Sequence, residues 1–199
     1  MLLCFEGIDG SGKDTHIAKL YEQLTSDGCK VVIKNFTEDD SVTGQAIRTI
    51  LNTKKETGSD MRLSLIFLSE LVHNVEKENG IQDYLNQGYI VLCNRYHYST
   101  SVYAGSNDNI LNLIYEVSQT LPTPDMIFYL DVTAKTGLSR ISGNTDFYEQ
   151  EHKLEVYRER YKKMAVNNHF ITVNNQGDFT KASELIYQLT KNLIKVKGE

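Results

Sequence analysis

The sequence predicts an α/β fold in which helices flank a five-stranded, mostly parallel, doubly wound sheet. Five short apolar runs alternate with segments of helical periodicity, which is the pattern of such a fold. The run at residues 89–93 is apolar throughout, as expected for a parallel strand that is covered on both faces. A glycine-rich loop follows the first run directly, so a ligand site is expected at the carboxyl ends of the strands.

The glycine-rich loop, Phe5-Glu6-Gly7-Ile8-Asp9-Gly10-Ser11-Gly12-Lys13-Asp14-Thr15, has the features of a phosphate-binding loop (P-loop). Its glycines let successive backbone N–H groups face one anion, and the following helix adds the positive end of its dipole. Gly7, Gly12 and Lys13 fit the spacing GxxxxGK, in which the lysine reaches the β- and γ-phosphates. Asp14, however, occupies the position where the motif has a Ser or Thr hydroxyl for Mg²⁺.

The elements around this loop form a βαβ unit. The first strand is predicted at residues 1–5, and apolar residues recur at helical spacing from Ile17 to Leu24. Gly28 supplies a stop for that helix, and residues 30–34 have the composition of a second strand.

Three helices are predicted between the second and third strands. A short helix is expected at residues 46–51, and a long helix begins at Asp60, whose side chain can cap it. A shorter helical piece ends at Gly88, before the third strand at residues 89–93.

The second half of the chain continues the alternation. Residues 97–120 are helical with a polar break at 106–109, and two prolines end this pattern before the fourth strand. The remaining predicted elements are a strand at 126–132, a helix at 134–141, a flap around 142–149, a charged helix at 149–165, a strand at 169–173 and a closing helix at 179–196.

Length and composition indicate one P-loop domain spanning residues 1–199. The net charge of −5 disfavours a nucleic acid polymer as partner, because no general basic field is present. Cys4, Cys29 and Cys93 lie in or beside predicted strands at no metal-ligand spacing, which favours buried thiols in a reducing compartment. The chain has no basic leader and no apolar run near about 18 residues, so we expect a cytoplasmic protein without membrane contact.

Three groups of residues together resemble the thymidylate kinase family. They are the loop from Phe5 to Lys13, Arg95-Tyr96 with Ser99 and Tyr103, and Pro124-Asp125 ahead of the fourth strand. The similarity in order and spacing covers nearly the whole chain. It implies a nucleoside-monophosphate kinase that transfers the γ-phosphoryl group of ATP to dTMP with Mg²⁺, and a homodimer formed through the long helices.

The P-loop motif and the resemblance together assign a set of residues to ATP. In the transfer itself, Lys13, Arg95 and Mg²⁺ neutralise the growing charge, Asp9 contacts the acceptor, and Arg140 is the arginine available beside the flap. The residues assigned to ATP are Gly7, Asp9, Gly10, Ser11, Gly12, Lys13, Asp14 and Thr15.

The resemblance assigns further residues to the acceptor nucleotide. Asp9 contacts its sugar and phosphate region, Arg95 clamps its phosphate, Phe67 stacks on the thymine, and Tyr103 lies against the deoxyribose. By periodicity alone Phe67 is a core residue, whereas a charge such as Arg95 directly after a buried strand requires a partner. The residues assigned to the acceptor are Asp9, Phe67, Arg95, Ser99, Thr100 and Tyr103.

Several positions depart from the family pattern. Asn94 replaces the family's Asp before the Arg-Tyr pair, Leu71 replaces an Arg that reads thymine, and the flap at 142–147 contains no arginine. We hypothesise that Asp14 has become the carboxylate on the metal side, since a negative side chain is favoured at a helix N-terminus. The alternative is that Asp14 is an ordinary first-turn residue facing solvent.

These departures leave two alternatives to a dTMP kinase. The first is a kinase of the same fold for another deoxynucleotide or for a deoxynucleoside, which the change at Leu71 permits. The second is a catalytically weak nucleotide-binding homologue, which the low number of arginines around the flap permits.

Overall fold

A computed structural model describes residues 1–38, 41–52, 60–105, 107–141 and 149–198. Within these ranges the chain forms one five-stranded sheet, and every strand pairing in it is parallel. The predicted fold is therefore confirmed. The strands are β1 (Leu2–Glu6), β2 (Val31–Asn35), β3 (Ile90–Asn94), β4 (Met126–Asp131) and β5 (Ile171–Asn174).

The helices follow the predicted order along the chain. None of those in the described ranges is both long enough and apolar enough to cross a membrane. The helices are α1 (Lys13–Ser26), α2 (Val42–Asn52), α3 (Asp60–Glu76), α4 (Ile81–Asn86), α5 (His97–Ala104), α6 (Asp108–Ser118), α7 (Ala134–Arg140), α8 (Glu151–Asn167) and α9 (Phe179–Lys197).

The strand order β2-β3-β1-β4-β5 brings the loops after β1 and β3 together. Phe5 near the end of β1 is in register with Asn94 at the end of β3. The connection after β1 leads to β2 on one side of the sheet, whereas the connection after β3 leads past β1 to β4 on the other side. Such a reversal opens a crevice at the carboxyl ends of the strands, where ligands of doubly wound sheets bind.

The sheet is buried because helices cover both of its faces. All five residues of β1 are fully buried, as expected for a central parallel strand. On one face, residues of α1 and α9 pack on the sheet around Phe5 and Phe128, whose rings lie 5.2 Å apart. On the other face, α3 and α4 pack around Cys4, Cys93 and Tyr96.

Some predicted boundaries were wrong, and capping explains the largest difference. Helix α2 begins at Val42, four residues before the predicted start at residue 46. The Ser41 hydroxyl oxygen accepts a hydrogen bond of 2.8 Å from the backbone N–H of Gly44, so the polar residues before 46 already belong to the first turn. The predicted cap at Asp60 involves a side chain outside the described part, and residues 142–148 of the predicted flap also lie outside it.

Helix α7 approaches the P-loop more closely than any side chain would allow. A Cβ atom added to Gly137 would lie 2.6 Å from the carbonyl oxygen of Asp9. A Cβ added to Gly10, where φ is 72°, would lie 2.0 Å from the carbonyl oxygen of Gly137. Contact between the two backbones therefore fixes where the P-loop sits beside β4 and α7.

We expect Gly137→Ala to destabilise the protein by about 1–3 kcal/mol, because the new methyl group must displace the P-loop backbone. Urea unfolding measures this change. Gly177→Ala is the matched control, since a Cβ at that glycine meets no atom within 4 Å. Equal stability of the two variants would show that α7 and the P-loop do not constrain each other.

Candidate active site

A cleft of about 1030 Å³ opens at the carboxyl ends of β1 and β3. It brings together most of the residues that the sequence predicts for a nucleotide site, although Gly7 and Ser11 are buried behind its surface. The predicted residues that line the cleft are Asp9, Gly10, Gly12, Lys13, Asp14, Thr15, Phe67, Arg95, Ser99, Thr100, Tyr103 and Arg140.

Lys13 lies across the P-loop and is almost fully buried. Its Nζ donates to the carbonyl oxygens of Gly7 at 3.1 Å and Ile8 at 3.0 Å, and to the Ser11 hydroxyl at 3.3 Å. Burial, reinforced by the nearby charge of Arg95, lowers the pKa of Lys13 to about 7. The lysine is therefore poised to gain full charge when an anion enters the loop.

Arg95 connects the loop after β3 to the P-loop. Its backbone adopts a left-handed conformation with φ 68°, which is unusual for a non-glycine residue. Its Nη1 donates to the Gly7 carbonyl oxygen at 3.0 Å, to Ser99 Oγ at 3.2 Å and to the Tyr161 hydroxyl at 3.2 Å. Its Nη2 forms an ion pair with Asp9. The sequence predicted that the charge of Arg95 needs a partner, and the structure provides several.

Asp9 stays ionised between Arg95 and Tyr103. Burial raises the pKa of Asp9, but the charges of Arg95 and Lys13 outweigh this effect and leave the pKa below its ordinary value. The Tyr103 hydroxyl donates to Asp9 Oδ2 at 2.9 Å, and its ring lies 5.4 Å from the Arg95 guanidinium carbon. These three side chains form one charged wall of the cleft.

Glu6 supports this wall from below, a role that the sequence analysis did not assign. It is fully buried and accepts hydrogen bonds from the Tyr96 N–H at 2.8 Å, Ser99 Oγ at 2.6 Å and the Tyr161 hydroxyl at 3.0 Å. Burial raises the pKa of Glu6 above its ordinary value. The signal in the sequence was a carboxylate at the end of an apolar strand, where a charge needs partners.

Asn175 is a second residue that the sequence analysis missed. It follows β5, is nearly fully buried, and its Nδ2 donates to the Ser11 carbonyl oxygen at 2.8 Å. Its Oδ1 lies 3.0 Å from His16 Nε2, and its backbone carbonyl accepts a hydrogen bond of 3.0 Å from Arg140 Nη2. The signal in the sequence was its position directly after β5, at the carboxyl ends of the strands where the P-loop also lies.

The opposite side of the cleft is apolar and aromatic. The ring of Phe67 is half-buried and stacked on Phe36, with centroids 5.5 Å apart and planes 25° apart. Leu71, one turn farther along α3, is fully buried in the core and does not line the cleft. The side chain at the position where the family has an arginine that reads the base is therefore not available to a ligand in the cleft. Thr100 Oγ1 is buried without a hydrogen-bond partner in the described part of the chain.

Arg48 is a cation at the cleft that the sequence analysis did not count. It lies on α2 and lines the cleft together with Ile47 and Leu51. The sequence suggested few arginines at the site because only the P-loop and the flap were compared with the family, but helix α2 also reaches the cleft. The signal was available in the sequence, since Arg48 follows Ile47 on an amphipathic segment.

The two unusual positions, Asp14 and Asn94, are in contact. Asn94 Nδ2 donates to Asp14 Oδ1 at 2.7 Å, an orientation that follows because a carboxylate can only accept. Asn94 Oδ1 is buried and has no hydrogen-bond partner among the described residues. A carboxylate beside an unsatisfied amide oxygen is a donor set that suits a hard cation such as Mg²⁺. The described residues contain no group of three or more His, Cys, Asp or Glu that could hold a metal by themselves.

Comparison with known proteins gives consistent matches. The family model for thymidylate kinase matches residues 5–186. A probable thymidylate kinase of Methanothermobacter thermautotrophicus is 33% identical over 176 residues, covering 87% of this chain and 86% of that protein. The thymidylate kinase of Thermosipho africanus is 30% identical over 207 residues, covering 98% of each chain. The thymidylate kinase of a Sulfurihydrogenibium species is 33% identical and covers 95% of this chain and 96% of its own.

We expect binding of inorganic tripolyphosphate to be accompanied by proton uptake at Lys13. With a pKa of about 7 the lysine is largely neutral near pH 8, and a bound anion raises its pKa. Uptake should approach about 0.9 proton near pH 8 and fall to about 0.1 near pH 6, where the lysine is already charged. Titration calorimetry in buffers of different ionisation enthalpy measures this number.

Lys13→Arg is the control for this measurement, because arginine is always protonated and the ligand's own titration is common to both proteins. The difference between the two proteins therefore isolates the proton on Lys13. Identical uptake by both proteins would mean that Lys13 is fully charged before the anion binds.

Proposed function

The chain belongs to the thymidylate kinase family, and from this premise we propose that it transfers the γ-phosphoryl group of ATP to dTMP, giving dTDP. It is an ATP-dependent phosphotransferase. The observation that carries the proposal is the P-loop lysine on the same cleft as the Arg95–Asp9–Tyr103 wall. Phosphoryl transfer needs a donor and an acceptor phosphate held in line, with their developing charge neutralised.

The donor side is the P-loop. Its backbone N–H groups and the start of α1 receive the ATP phosphates, and Lys13 leaves its carbonyl partners to contact the β- and γ-oxygens. Arg140, which lies at the cleft through its bond to Asn175, supplies a further positive charge over ATP. Arg48 places a further positive charge on the acceptor side of the cleft.

The acceptor side begins with Arg95. Its ion pair with Asp9 and its bonds to Gly7 and Ser99 fix the guanidinium before the substrate arrives, so it can clamp the dTMP phosphate without reorganising. Tyr103, held by Asp9, lies where the deoxyribose would pack. Ser99 supports Arg95, and Thr100 offers an unpaired hydroxyl to the acceptor nucleotide.

Phe67 supplies the stacking surface for the thymine ring. Its half-exposed face and its contact with Phe36 give a flat apolar surface at the cleft. Stacking on a ring is tolerant of base identity, because every base has a π-face. Because Leu71 is buried in the core, we propose that Thr100 and the shape of the cleft contribute to the selection of thymine.

Mg²⁺ is part of this proposal, with Asp14 and Asn94 as the residues that would hold it. A bound Mg²⁺ would supply positive charge to offset the charge that develops on the phosphates during the transfer. Asp14 and the unpaired oxygen of Asn94 would offer oxygen ligands, the type that Mg²⁺ prefers. In this proposal the carboxylate lies at the start of α1, on Asp14, and not at the strand end, where this chain has Asn94.

We also propose that the protein is a cytoplasmic homodimer. Met61 and Leu65, one turn apart on α3, are 38% and 43% exposed, so this long helix offers apolar surface to a second copy. Cys4, Cys29 and Cys93 are all free thiols, which is compatible with a reducing compartment.

We expect dTMP to be the preferred acceptor in an ADP-release assay with ATP, Mg²⁺ and one of dTMP, dUMP, dCMP, dGMP, dAMP or thymidine. Thymidine should be a poor acceptor, because it lacks the phosphate that Arg95 would clamp. Preference for another nucleotide or for thymidine would favour the first alternative, and no turnover of any acceptor would favour a nucleotide-binding homologue. Lys13→Ala is the control, and we expect its kcat to fall by about 100-fold or more.

We expect Asp14→Thr to weaken the Mg²⁺ dependence and lower kcat by about tenfold or more, because the variant loses the metal-side carboxylate. Adding Asn94→Asp should restore much of the loss, since a carboxylate then returns at the strand end. The measurement is kcat as a function of Mg²⁺ concentration in a double-mutant cycle. Asp108→Thr, a first-turn acidic residue on α6, is the matched control. Simple additivity without rescue would refute the exchange of roles.

A further inference from the structure

A buried carboxylate, Glu70, lies behind the acceptor side of the cleft without lining it. We propose that Glu70 is a positioning residue that holds the acceptor wall, the side of the cleft formed by the loop after β2 and by helices α2 and α3, in the geometry that dTMP requires. This inference rests on the proposed function and concerns a residue that contacts neither nucleotide. The evidence for it is the set of hydrogen bonds that Glu70 accepts from three segments of the chain.

Glu70 joins helix α3 to the loop after β2 and to the start of α2. Its Oε1 accepts hydrogen bonds from the backbone N–H of Glu38 at 3.0 Å and from Asn74 Nδ2 at 3.1 Å. Its Oε2 accepts from Ser41 Oγ at 2.6 Å and from the Thr43 hydroxyl. Three of these four donors lie about 30 residues away in sequence, so Glu70 links segments that have no local connection.

The linked segments are the ones that form the acceptor wall. Asn74, itself bonded to Glu70, also donates to the Phe36 carbonyl oxygen at 3.1 Å, which fixes the loop opposite Phe67. Phe67 lies one turn before Glu70 on α3 and is stacked on Phe36. The wall residues supplied by these three segments are Phe36, Thr37, Glu38, Ile47, Arg48, Leu51, Leu63, Ser64 and Phe67.

Glu70 can hold four donors only as a carboxylate. Burial raises its pKa, but hydrogen bonds from Ser41, Thr43, Glu38 and Asn74 outweigh burial and leave the pKa below its ordinary value. An ionised carboxylate accepts at both oxygens and offers no proton that would face a donor. The side chain is therefore matched to a site with four donors.

The contacts of Glu38 show that Glu70 holds the backbone of the loop after β2. The carboxylate of Glu38 is taken by Lys34 at 3.4 Å and by an ion pair with Lys77. Its backbone N–H is left to Glu70. Without Glu70 the Glu38 N–H and the Ser41 and Thr43 hydroxyls would lose their common acceptor, and the loop would move relative to Phe67.

The test compares Glu70→Ala and Glu70→Gln with the parent, using KM for dTMP, KM for ATP, kcat and thermal unfolding. We expect Glu70→Ala to raise KM for dTMP by about tenfold or more while KM for ATP changes by less than about twofold. Glu70→Gln should lie between parent and alanine, because its amide oxygen still accepts and the two hydroxyls can rotate. Glu76→Gln, at the exposed end of the same helix, is the matched control.

A purely structural role would lower thermal stability and raise both KM values together, or lower kcat alone, and either result would overturn the proposal. Should Glu70→Ala fail to fold, Ser41→Ala decides, since it removes one donor without exposing the carboxylate. We expect Ser41→Ala to raise KM for dTMP about threefold, with little additional effect in the Glu70→Gln background. An unchanged KM for dTMP in Ser41→Ala and in Glu70→Gln would contradict the positioning role.

Failure of the proposed function is distinguishable from failure of this inference. If the parent prefers another acceptor, the same experiment is done with that acceptor in place of dTMP. The measurement is again whether KM for the acceptor rises while KM for ATP stays nearly unchanged. The function would then be revised while the role of Glu70 is still tested. If the parent phosphorylates dTMP but the split is absent, only the inference fails.

Discussion

The ion pair between Arg95 and Asp9 is the interaction on which the site depends. It joins the loop after β3 to the P-loop after β1, the two loops that the strand order makes neighbours. Arg95 keeps a left-handed backbone and remains charged in a buried setting because it is surrounded by oxygen acceptors. Glu6 stands behind it and orders Ser99 and Tyr161. If Arg95 clamps the acceptor phosphate as proposed, the clamp is formed before the substrate binds, and catalysis would gain from electrostatic preorganisation.

The same crowding of charge explains the behaviour of Lys13. An ammonium that is buried beside a guanidinium is disfavoured, and its pKa falls to about 7. Under the proposed function, the nucleotide phosphates would supply a negative charge beside Lys13, and ligand binding would be coupled to protonation of this lysine. The P-loop conformation itself is fixed from outside by Gly137 and Asn175, whose contacts leave no room for side chains on Gly10 and Gly12.

The departures from the family pattern act together. Asp14 and Asn94 are hydrogen-bonded, so the two odd positions form one unit. On helix α3, Leu71 is buried in the core. The neighbouring Glu70 faces the loop after β2 and the start of α2, and it accepts four hydrogen bonds. In the role proposed for it, Glu70 positions one wall of the cleft and does not contact the base.

The sequence by itself determined the fold class, the order of the elements and about half of the residues that line the cleft, because apolar periodicity and the P-loop spacing are local signals. It also identified Arg95 as a charge that must have partners. Tertiary structure alone decided what those partners are, that Arg48 reaches the cleft, that Leu71 does not, and that Glu6, Glu70 and Asn175 hold the site in place. These facts depend on hydrogen bonds between residues far apart in sequence, such as Asn175 to Ser11 and Glu70 to Ser41. Periodicity reports which face of an element is buried, but the partner that a buried polar group finds is set only when the chain has packed.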